Sequence, residues 1–466
     1  MSNQEYSQYL FFPNILLFFT IFLLLFLFFI AWFKNNLYSW LDPLLLAILF
    51  SSAGVSTVIF LYVLGEIKVN YLLQTMLSQL MLMLGYKILS RRETSYLNKQ
   101  VKHSTYEQLN TGYPRAFLAS SFLFIVAQAS TYFLLGIPLL MANRLMIYQE
   151  GGFGVLGRII DATFVISFYT FLDMKVRFKV RGLFKAYGYI YLLFLIISLV
   201  LNGSKAGILN LVFIIGIFCY LNKLKFNISL ISIYSKFARR LLIFAFISMF
   251  IILMVNYGIF SDQNYNRIID LLGVIFLRIF NSGDIYVLSY PNDALFKIPA
   301  EHNGIISLFK DLLATFRIIS TNEIPPSLGN IAFNIYSTTE IGGANARQSL
   351  FGYYYFGFMG SLLFSFFLGL TMSFFRHVLP RIKKATPLAM GVLCYFILNF
   401  SFLDIDPSYQ FSKLTNFFIV TPLIILLMGV MPNIREGANK QVISSQADSL
   451  IKISRIWADF FPANTS

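Results

Sequence analysis

About eleven long apolar runs constrain this chain more than any other feature of its sequence. They lie at about 10–33, 43–64, 69–89, 116–140, 155–173, 184–202, 205–221, 241–260, 350–375, 386–403 and 414–431. A helix needs roughly 20 apolar residues to cross a hydrocarbon core about 30 Å thick. Only 12% of the 466 residues are charged, about half of what soluble domains carry. The sequence therefore predicts an all-α polytopic membrane protein with about eleven transmembrane helices.

Basic residues predict how these spans are oriented. They collect in alternate connections, at 91–115, 175–185, 223–240 and 376–384, and cytoplasmic loops carry such an excess of Lys and Arg. With eleven spans, the N-terminus is expected outside and the C-terminus inside. The net charge of +15 follows this topology, so it does not indicate a nucleic-acid partner.

The predicted spans divide the chain into four parts. These are an N-terminal transmembrane bundle at 1–258, an extracytoplasmic loop domain at 259–349, C-terminal transmembrane helices at 350–431 and a cytoplasmic tail at 432–466. Both cysteines fall inside apolar runs, and the three histidines form no Cys/His cluster. Neither a disulfide nor a structural zinc site is indicated.

The extracytoplasmic loop has the pattern of a folded segment. A stretch at 267–281 places Arg278 on the polar stripe of a helix, and a stretch at 305–319 places Lys310 and Arg317 on one face. Turn-forming residues separate the two stretches. Amphipathic helices of this kind suit the membrane–water boundary or the wall of a cavity.

The end of this loop is the most informative part of the chain. Two glycines at 342–343 allow tight turns close to a ligand. Glu340 and Arg347 bracket them, Asn345 adds an amide, and Tyr353 stands at the start of the next span. Hydrogen-bonding groups beside aromatic rings suit a sugar, and an arginine at this depth suits a lipid-linked phosphate.

A short turn at 202–207, Asn-Gly-Ser-Lys-Ala-Gly, is the second notable feature. It joins two apolar runs and places Lys205 at the start of one of them. Its glycines leave backbone amides open, and a helix N-terminus adds partial positive charge. The turn is therefore a candidate anion site.

At these two places the chain resembles the bacterial oligosaccharide repeat-unit polymerases, the Wzy-type O-antigen and capsule polymerases. The matching pieces are the turn Gly-Ser-Lys-Ala-Gly and the stretch Gly-Gly-Ala-Asn followed by Leu-Phe-Gly-Tyr-Tyr-Tyr-Phe-Gly-Phe-Met-Gly. Family members more often have Arg where this chain has Lys205. The layout, with many spans and one large loop before the last few, is also similar.

The resemblance implies a GT-C-like glycosyltransferase of lipopolysaccharide or capsule biosynthesis in the bacterial inner membrane. Its implied substrates are undecaprenyl-diphosphate-linked oligosaccharides, joined at the outer leaflet. Membrane lipids, a chain-length regulator and a flippase of the same pathway are the implied partners. No cofactor is implied, neither a nucleotide sugar nor an established metal.

Such a reaction needs positive charge at the diphosphate leaving group and a group that accepts a hydroxyl proton. Our hypothesis assigns catalysis to Glu340 and Arg347, and substrate or lipid-diphosphate binding to Lys205, Arg278, Arg317, Asn345 and Tyr353. Asp284 and His302 are further candidates for the proton acceptor.

Each assignment has a structural alternative. Lys205 can extend from a helix end toward the interface without binding a ligand. Arg347 can pair with Glu340. Arg278 and Arg317 can belong to solvated helix faces, and tyrosines at this depth are often interface anchors.

Three other functions remain open at this point. An O-antigen ligase, which transfers finished glycan to the lipid A core, shares the architecture, and only residues 342–360 favour the polymerase over it. A transporter or flippase is expected to carry paired charges or broken helices near mid-membrane. In this sequence nearly all charges lie at span ends and in loops, which argues against a transporter. A structural or signalling membrane protein is the remaining alternative.

Overall fold

The computed structural model describes residues 2, 5–90, 114–141, 154–177, 183–203, 205–256, 281–320, 323–336, 343–382, 385–430 and 452. Every regular element in these ranges is helical. The α-helices are α1 Ile15–Phe33, α2 Pro43–Val63, α3 Val69–Ser90, α4 Arg115–Leu135, α5 Gly154–Arg177, α6 Leu183–Leu201, α7 Lys205–Phe226, α8 Ile231–Asn256, α9 Asp284–Ser289, α10 Gly304–Thr315, α11 Leu328–Asn334, α12 Gln348–Ser373, α13 Pro387–Phe400 and α14 Pro407–Val430.

Among the residues that the structure describes, nine helices are long and apolar enough to cross a membrane. The prediction of a polytopic helical membrane protein is thereby confirmed. Two of the eleven predicted spans are not among the nine. One corresponds to α8, which carries Lys236, Arg239 and Arg240 in its first half. The other corresponds to α13, which has only 14 residues because the chain turns at 401–406.

Local sequence explains where several of these helices begin. Pro43 and Pro387 stand at the first position of α2 and α13, where a missing N–H costs nothing. The preceding residues are caps: the Asp42 carboxylate accepts a hydrogen bond from Leu44 N–H, and the Thr386 hydroxyl oxygen accepts one from Ala389 N–H. The proline and cap pair thus fixes both helix starts.

The surface and the interior of the bundle have opposite character. Large apolar side chains face outward, such as Leu16 on α1, Phe133 on α4 and Leu193 on α6, which are 80%, 89% and 61% exposed. The interior instead contains hydroxyl and amide groups from two neighbouring helices. They are Ser51, Ser52, Ser56 and Thr57 on α2 and Gln74, Thr75, Ser78 and Gln79 on α3, none more than 8% exposed. These groups form a polar cluster within an otherwise apolar core, and buried polar groups inside membrane proteins are often functional.

Glycines allow α3 and α12 to pack with their backbones nearly touching. A Cβ on Gly85 would lie 2.1 Å from the Phe366 carbonyl oxygen, and one on Gly369 would lie 2.1 Å from the Leu82 carbonyl oxygen. Small residues at helix crossings have this role in membranes, where close van der Waals contact drives association. These two glycines hold α12 against α3.

Hydropathy over 350–375 predicts one continuous span, but helix α12 is interrupted. Gly357 interrupts it with φ 68° and ψ −171°, and residues 348–356 fold back along residues 358–373. The Phe351 and Phe364 rings stack with centroids 5.4 Å apart, and the Ser365 hydroxyl donates to Gln348 Oε1. Because residues 13 and 17 positions apart touch, α12 is a helical hairpin whose first residue lies beside the middle of its second arm.

The segment that precedes α12 contains α9, α10 and α11 where the structure describes it. The predicted helix at 305–319 is present as α10, but it ends at Thr315, and Arg317 has a positive φ of 54°. The expectation that Lys310 and Arg317 share one helix face is therefore wrong. Residues 257–280, which include almost all of the other predicted amphipathic helix, lie outside the described residues.

Candidate functional site

Arg347 is the centre of the most unusual environment in the bundle. It is the residue immediately before α12 and is only 3% exposed. Its Nε donates to the Ser282 carbonyl oxygen at 2.9 Å, and its Nη2 donates to the carbonyl oxygens of Ser282 at 2.6 Å and Phe50 at 2.8 Å. Gly54 lets the guanidinium lie on the α2 backbone, because a Cβ there would meet Arg347 Cζ at 3.2 Å.

One edge of the Arg347 guanidinium, at Nη1, makes no hydrogen bond or ion pair within the described residues. In the described part of the chain, no carboxylate oxygen lies within 4.0 Å of it, and its Nη1 donates no hydrogen bond. A buried charge is normally paired or bound to a ligand because desolvation is costly. Three bonds to neutral carbonyl oxygens orient this cation without neutralising it.

Asp404 is a buried carboxylate on which the charge of Arg347 acts, as it also does on Asp406. Asp404 lies in the 401–406 turn between α13 and α14, it is 4% exposed, and its backbone carbonyl oxygen accepts the Gln348 N–H at 3.0 Å. The Ser51 hydroxyl donates to Oδ2, while Oδ1 is buried with no hydrogen-bond partner among the described residues. Burial raises the pKa of the Asp404 carboxyl, and the Arg347 charge and the Ser51 hydroxyl oppose that rise.

A chain of hydrogen bonds leads from this centre along α3. Gln74 Nε2 donates to the Ser349 carbonyl oxygen at 2.8 Å, and the Tyr290 hydroxyl donates to Gln74 Oε1 at 3.2 Å. The hydroxyls of Tyr286 and Ser349 are 2.6 Å apart. The network joins α9, the first arm of α12 and α3, so it positions residue 347 through its chain neighbours.

Aromatic rings gather at the far end of this network. Tyr71 stacks on Tyr290 with centroids 4.4 Å apart, and Phe296 stacks on Tyr71 at 5.4 Å. Tyr353 contacts both Tyr71 and Phe296, at 6.0 and 5.0 Å. Asp293 accepts hydrogen bonds from the Tyr71 hydroxyl and from Lys68, each at 2.5 Å. Rings beside carboxylate and ammonium groups form a surface that suits a polar ring with apolar faces.

A second carboxylate of the 401–406 turn lies near Lys310. Asp406 accepts the Tyr409 N–H at 3.0 Å at the start of α14, and desolvation raises its pKa to about 6. The Lys310 ammonium donates to the Pro325 carbonyl oxygen at 3.0 Å, and burial lowers its pKa. Both groups titrate closer to neutrality than their ordinary values.

The structure brings together only part of the predicted site. Arg347 immediately precedes the arm of α12 that carries Tyr353, and the polar network lies between these two residues. Asn345 is exposed, and its carbonyl oxygen accepts the Arg347 N–H at 2.9 Å. Arg317 is exposed beyond the end of α10, away from the buried setting of Arg347.

Three predicted site residues cannot be placed as side chains. Glu340 and Arg278 lie outside the described residues. Lys205 is the first residue of α7, as the sequence predicts, but its side chain lies outside what the structure describes. Their assigned roles stay predictions.

Among the described residues, neither of the two further candidates for the proton acceptor forms a hydrogen bond with the Arg347 guanidinium. Asp284 is in the first turn of α9. His302 lines a cavity of about 120 Å³ together with Glu301, Tyr354 and Tyr355.

Sequence reasoning missed Asp404 as a functional residue. Its proximity to Ser51 joins positions 353 residues apart, which no local motif reveals. The available signal was a turn with two carboxylates, Asp404 and Asp406, between two apolar runs. The groups that accept hydrogen bonds from Arg347 are backbone carbonyl oxygens, which every residue has, so the sequence does not identify them.

The expectation that nearly all charges lie at span ends is only partly correct. Lys413 on α14 binds Asp161 on α5 at 2.8 Å, and Asn416 Nδ2 donates to the same carboxylate at 2.8 Å. Arg376 donates twice to Asp42, at 2.9 and 2.8 Å, with both side chains buried. Charged groups inside membrane proteins are costly and usually functional.

In the residues that the structure describes, no three His, Cys, Asp or Glu side chains are grouped so that they could hold a metal ion. Comparison with known protein families, with curated proteins and with solved structures produced no match for this chain. Its function is therefore inferred from the sequence resemblance and from the chemistry of the site.

Proposed function

We propose that this chain is a membrane glycosyltransferase that joins undecaprenyl-diphosphate-linked oligosaccharide repeat units into O-antigen or capsular polysaccharide. The observation that carries the proposal is the Arg347 guanidinium, which is buried, oriented by three carbonyl contacts and not ion-paired within the described chain. The resemblance of residues 342–360 to repeat-unit polymerases supplies the substrate class.

The proposed reaction uses Arg347 at the leaving group. The bond between the anomeric carbon of the donor glycan and its lipid diphosphate breaks, and a hydroxyl of the incoming unit forms the new glycosidic bond. Negative charge then develops on the diphosphate, where a fixed guanidinium stabilises it. The charge of Arg347 acts on Asp404, and the raised pKa of this carboxyl suits acceptance of the hydroxyl proton.

A transporter or flippase is the second candidate. The hairpin at Gly357 and the Lys413–Asp161 pair are features that transporters commonly have. They weaken the argument against transport made from the sequence. An O-antigen ligase remains the third candidate because it would use the same leaving group.

The proposal predicts the outcome of a complementation experiment in a deletion strain of the source bacterium. Deletion leaves surface glycan of a single repeat, and the wild-type gene restores a ladder of lengths. Arg347→Gln lowers the amount of polymer about 100-fold or more, because it removes a charge that acts on the transition state. Arg347→Lys keeps the charge but loses the fork geometry and recovers only a small part. Surface glycan is compared on gels at matched protein levels.

Arg239→Gln is the matched control, since it removes an equally charged but exposed side chain of α8 that belongs to no predicted site, and it leaves the ladder unchanged. Each variant is extracted and checked by size-exclusion chromatography, so that a misfolded protein is recognised. Long chains left on their lipid carrier after deletion would identify a ligase. Repeat units trapped inside the cell would identify a flippase, and unchanged glycan would contradict all three functions.

A further inference from the structure

A second cavity lies away from Arg347, at the end of the bundle where the basic connections are found. Its volume is about 310 Å³, room for roughly ten water molecules. Its polar and aromatic lining includes Asn36, Tyr38, Tyr220, Lys223, Ser229 and Arg376. We call it the basic-end cavity.

The basic-end cavity is distinct from the Arg347 site. Arg376, which lines it, binds Asp42 at the start of α2, whereas Arg347 binds the Phe50 carbonyl oxygen. Eight residues of helix separate these two positions, a distance of about 12 Å. A ligand in the basic-end cavity therefore occupies a different place from a substrate at Arg347.

Two buried polar atoms on the cavity residues lack hydrogen-bond partners in the described part of the chain. They are Asn36 Oδ1 and the Tyr38 hydroxyl oxygen. Buried polar groups are usually satisfied, and both atoms belong to residues that line the cavity. Asn36 Oδ1 needs a donor, and the Tyr38 hydroxyl can donate or accept, which a ligand bearing hydroxyl and oxyanion groups would provide.

The charge of the cavity favours an anion. Asp42 neutralises Arg376, with N–O distances of 2.9 and 2.8 Å, so Arg376 lines the cavity without adding net charge to it. Lys223 is exposed and has no carboxylate within ion-pairing distance among the described residues. The N-terminus of α8, at Ser229 to Ile231, also borders the cavity and adds partial positive charge.

The cavity also has an apolar wall. Tyr38 and Tyr220 stack with centroids 4.6 Å apart and planes 15° apart, and Leu230 and Ile397 extend this surface. A lysine and hydroxyls beside stacked rings match a phosphate ester that also carries hydroxyl groups. We propose that the basic-end cavity binds such a phosphate ester, either as the headgroup of an anionic lipid or as a soluble molecule.

The test uses the purified full chain in detergent and measures dissociation constants for two probes. Phosphatidylglycerol represents the lipid source and glycerol 3-phosphate the soluble source. Lys223→Gln is expected to weaken binding of the recognised probe about tenfold, as for the loss of one charge-assisted contact. Tyr38→Phe removes only a hydroxyl and is also expected to weaken it.

Lys34→Gln is the matched control. Lys34 is exposed near the cavity but does not line it, so its removal changes the net charge equally without touching the ligand. Binding weakened by Lys223→Gln and Tyr38→Phe but not by Lys34→Gln supports the proposal, and the probe that binds identifies the source. Equal effects of Lys223→Gln and Lys34→Gln, or no binding of either probe, would overturn it. Because Lys223 is exposed, its variant folds even if Tyr38→Phe does not.

Discussion

At the scale of single residues, the 401–406 turn places two carboxylates in different settings. The charge of Arg347 acts on both. Asp404 also accepts a hydrogen bond from Ser51, whereas Asp406 caps α14 and lies near Lys310. The sequence indicates Arg347 because glycines and tyrosines surround it. It does not indicate Asp404, whose importance arises only from a contact with α2, far away in the chain.

Asp406 is predicted to make stability depend on pH. Its pKa is raised from 3.8 to about 6, so the folded state holds this proton more tightly than the unfolded state does. As pH rises from 4 to 6, the unfolded state loses the proton first, and the free energy of unfolding falls. Asp406→Asn keeps the cap and removes this dependence, a difference on the order of 1 kcal/mol. Thermal unfolding of both proteins in detergent at pH 4 to 7 measures it.

Glu301→Gln serves as the control for the pH series because Glu301 is exposed. Its unfolding midpoint is expected to follow that of the wild type at every pH. A wild-type midpoint that rises relative to that of Asp406→Asn between pH 4 and pH 6 would contradict the assigned direction of the pKa shift.

At the scale of elements, the hairpin of α12 determines where Arg347 lies. Hydropathy predicts a single span over 350–375 because both arms are apolar, and an average over a window cannot detect a reversal of chain direction. Several glycines occur in this stretch, and only the backbone shows that Gly357 is the one with positive φ. Most span positions were predictable from composition and length, but this reversal was not.

Gly357→Ala is predicted to destabilise the protein through its backbone alone. No atom lies within 4 Å of a Cβ at this position, so the cost comes from φ 68° and ψ −171°, a region that side chains avoid. The expected loss is about 1–3 kcal/mol, seen as a lower unfolding midpoint in detergent. Gly429→Ala has the same open space but lies within α14, and helix propensity predicts no loss there. Equal effects of the two substitutions would contradict the hairpin.

At the scale of the whole molecule, an apolar surface surrounds an apolar core that contains polar groups on α2 and α3. Composition alone predicts the apolar exterior. A chain with so few charged residues must expose leucine and phenylalanine on its surface, which lipid can cover. The buried polar contacts were less predictable, since Gln74 and Thr75 on α3 bond to α12 and to Tyr290 only in the folded bundle. The proposed polymerisation and the basic-end cavity both depend on groups that this folding brings together.

Reconstitution tests the central proposal most directly. The purified full chain is placed in liposomes whose only glycan is the source bacterium's undecaprenyl-diphosphate-linked repeat unit, and glycan length is followed over time. We predict that the wild type forms lipid-linked glycans of two or more repeats and releases one undecaprenyl diphosphate for each new bond, while Arg347→Gln forms almost none. Glycan that stays at one repeat in the presence of folded wild-type protein, or that only crosses the bilayer, would contradict the account.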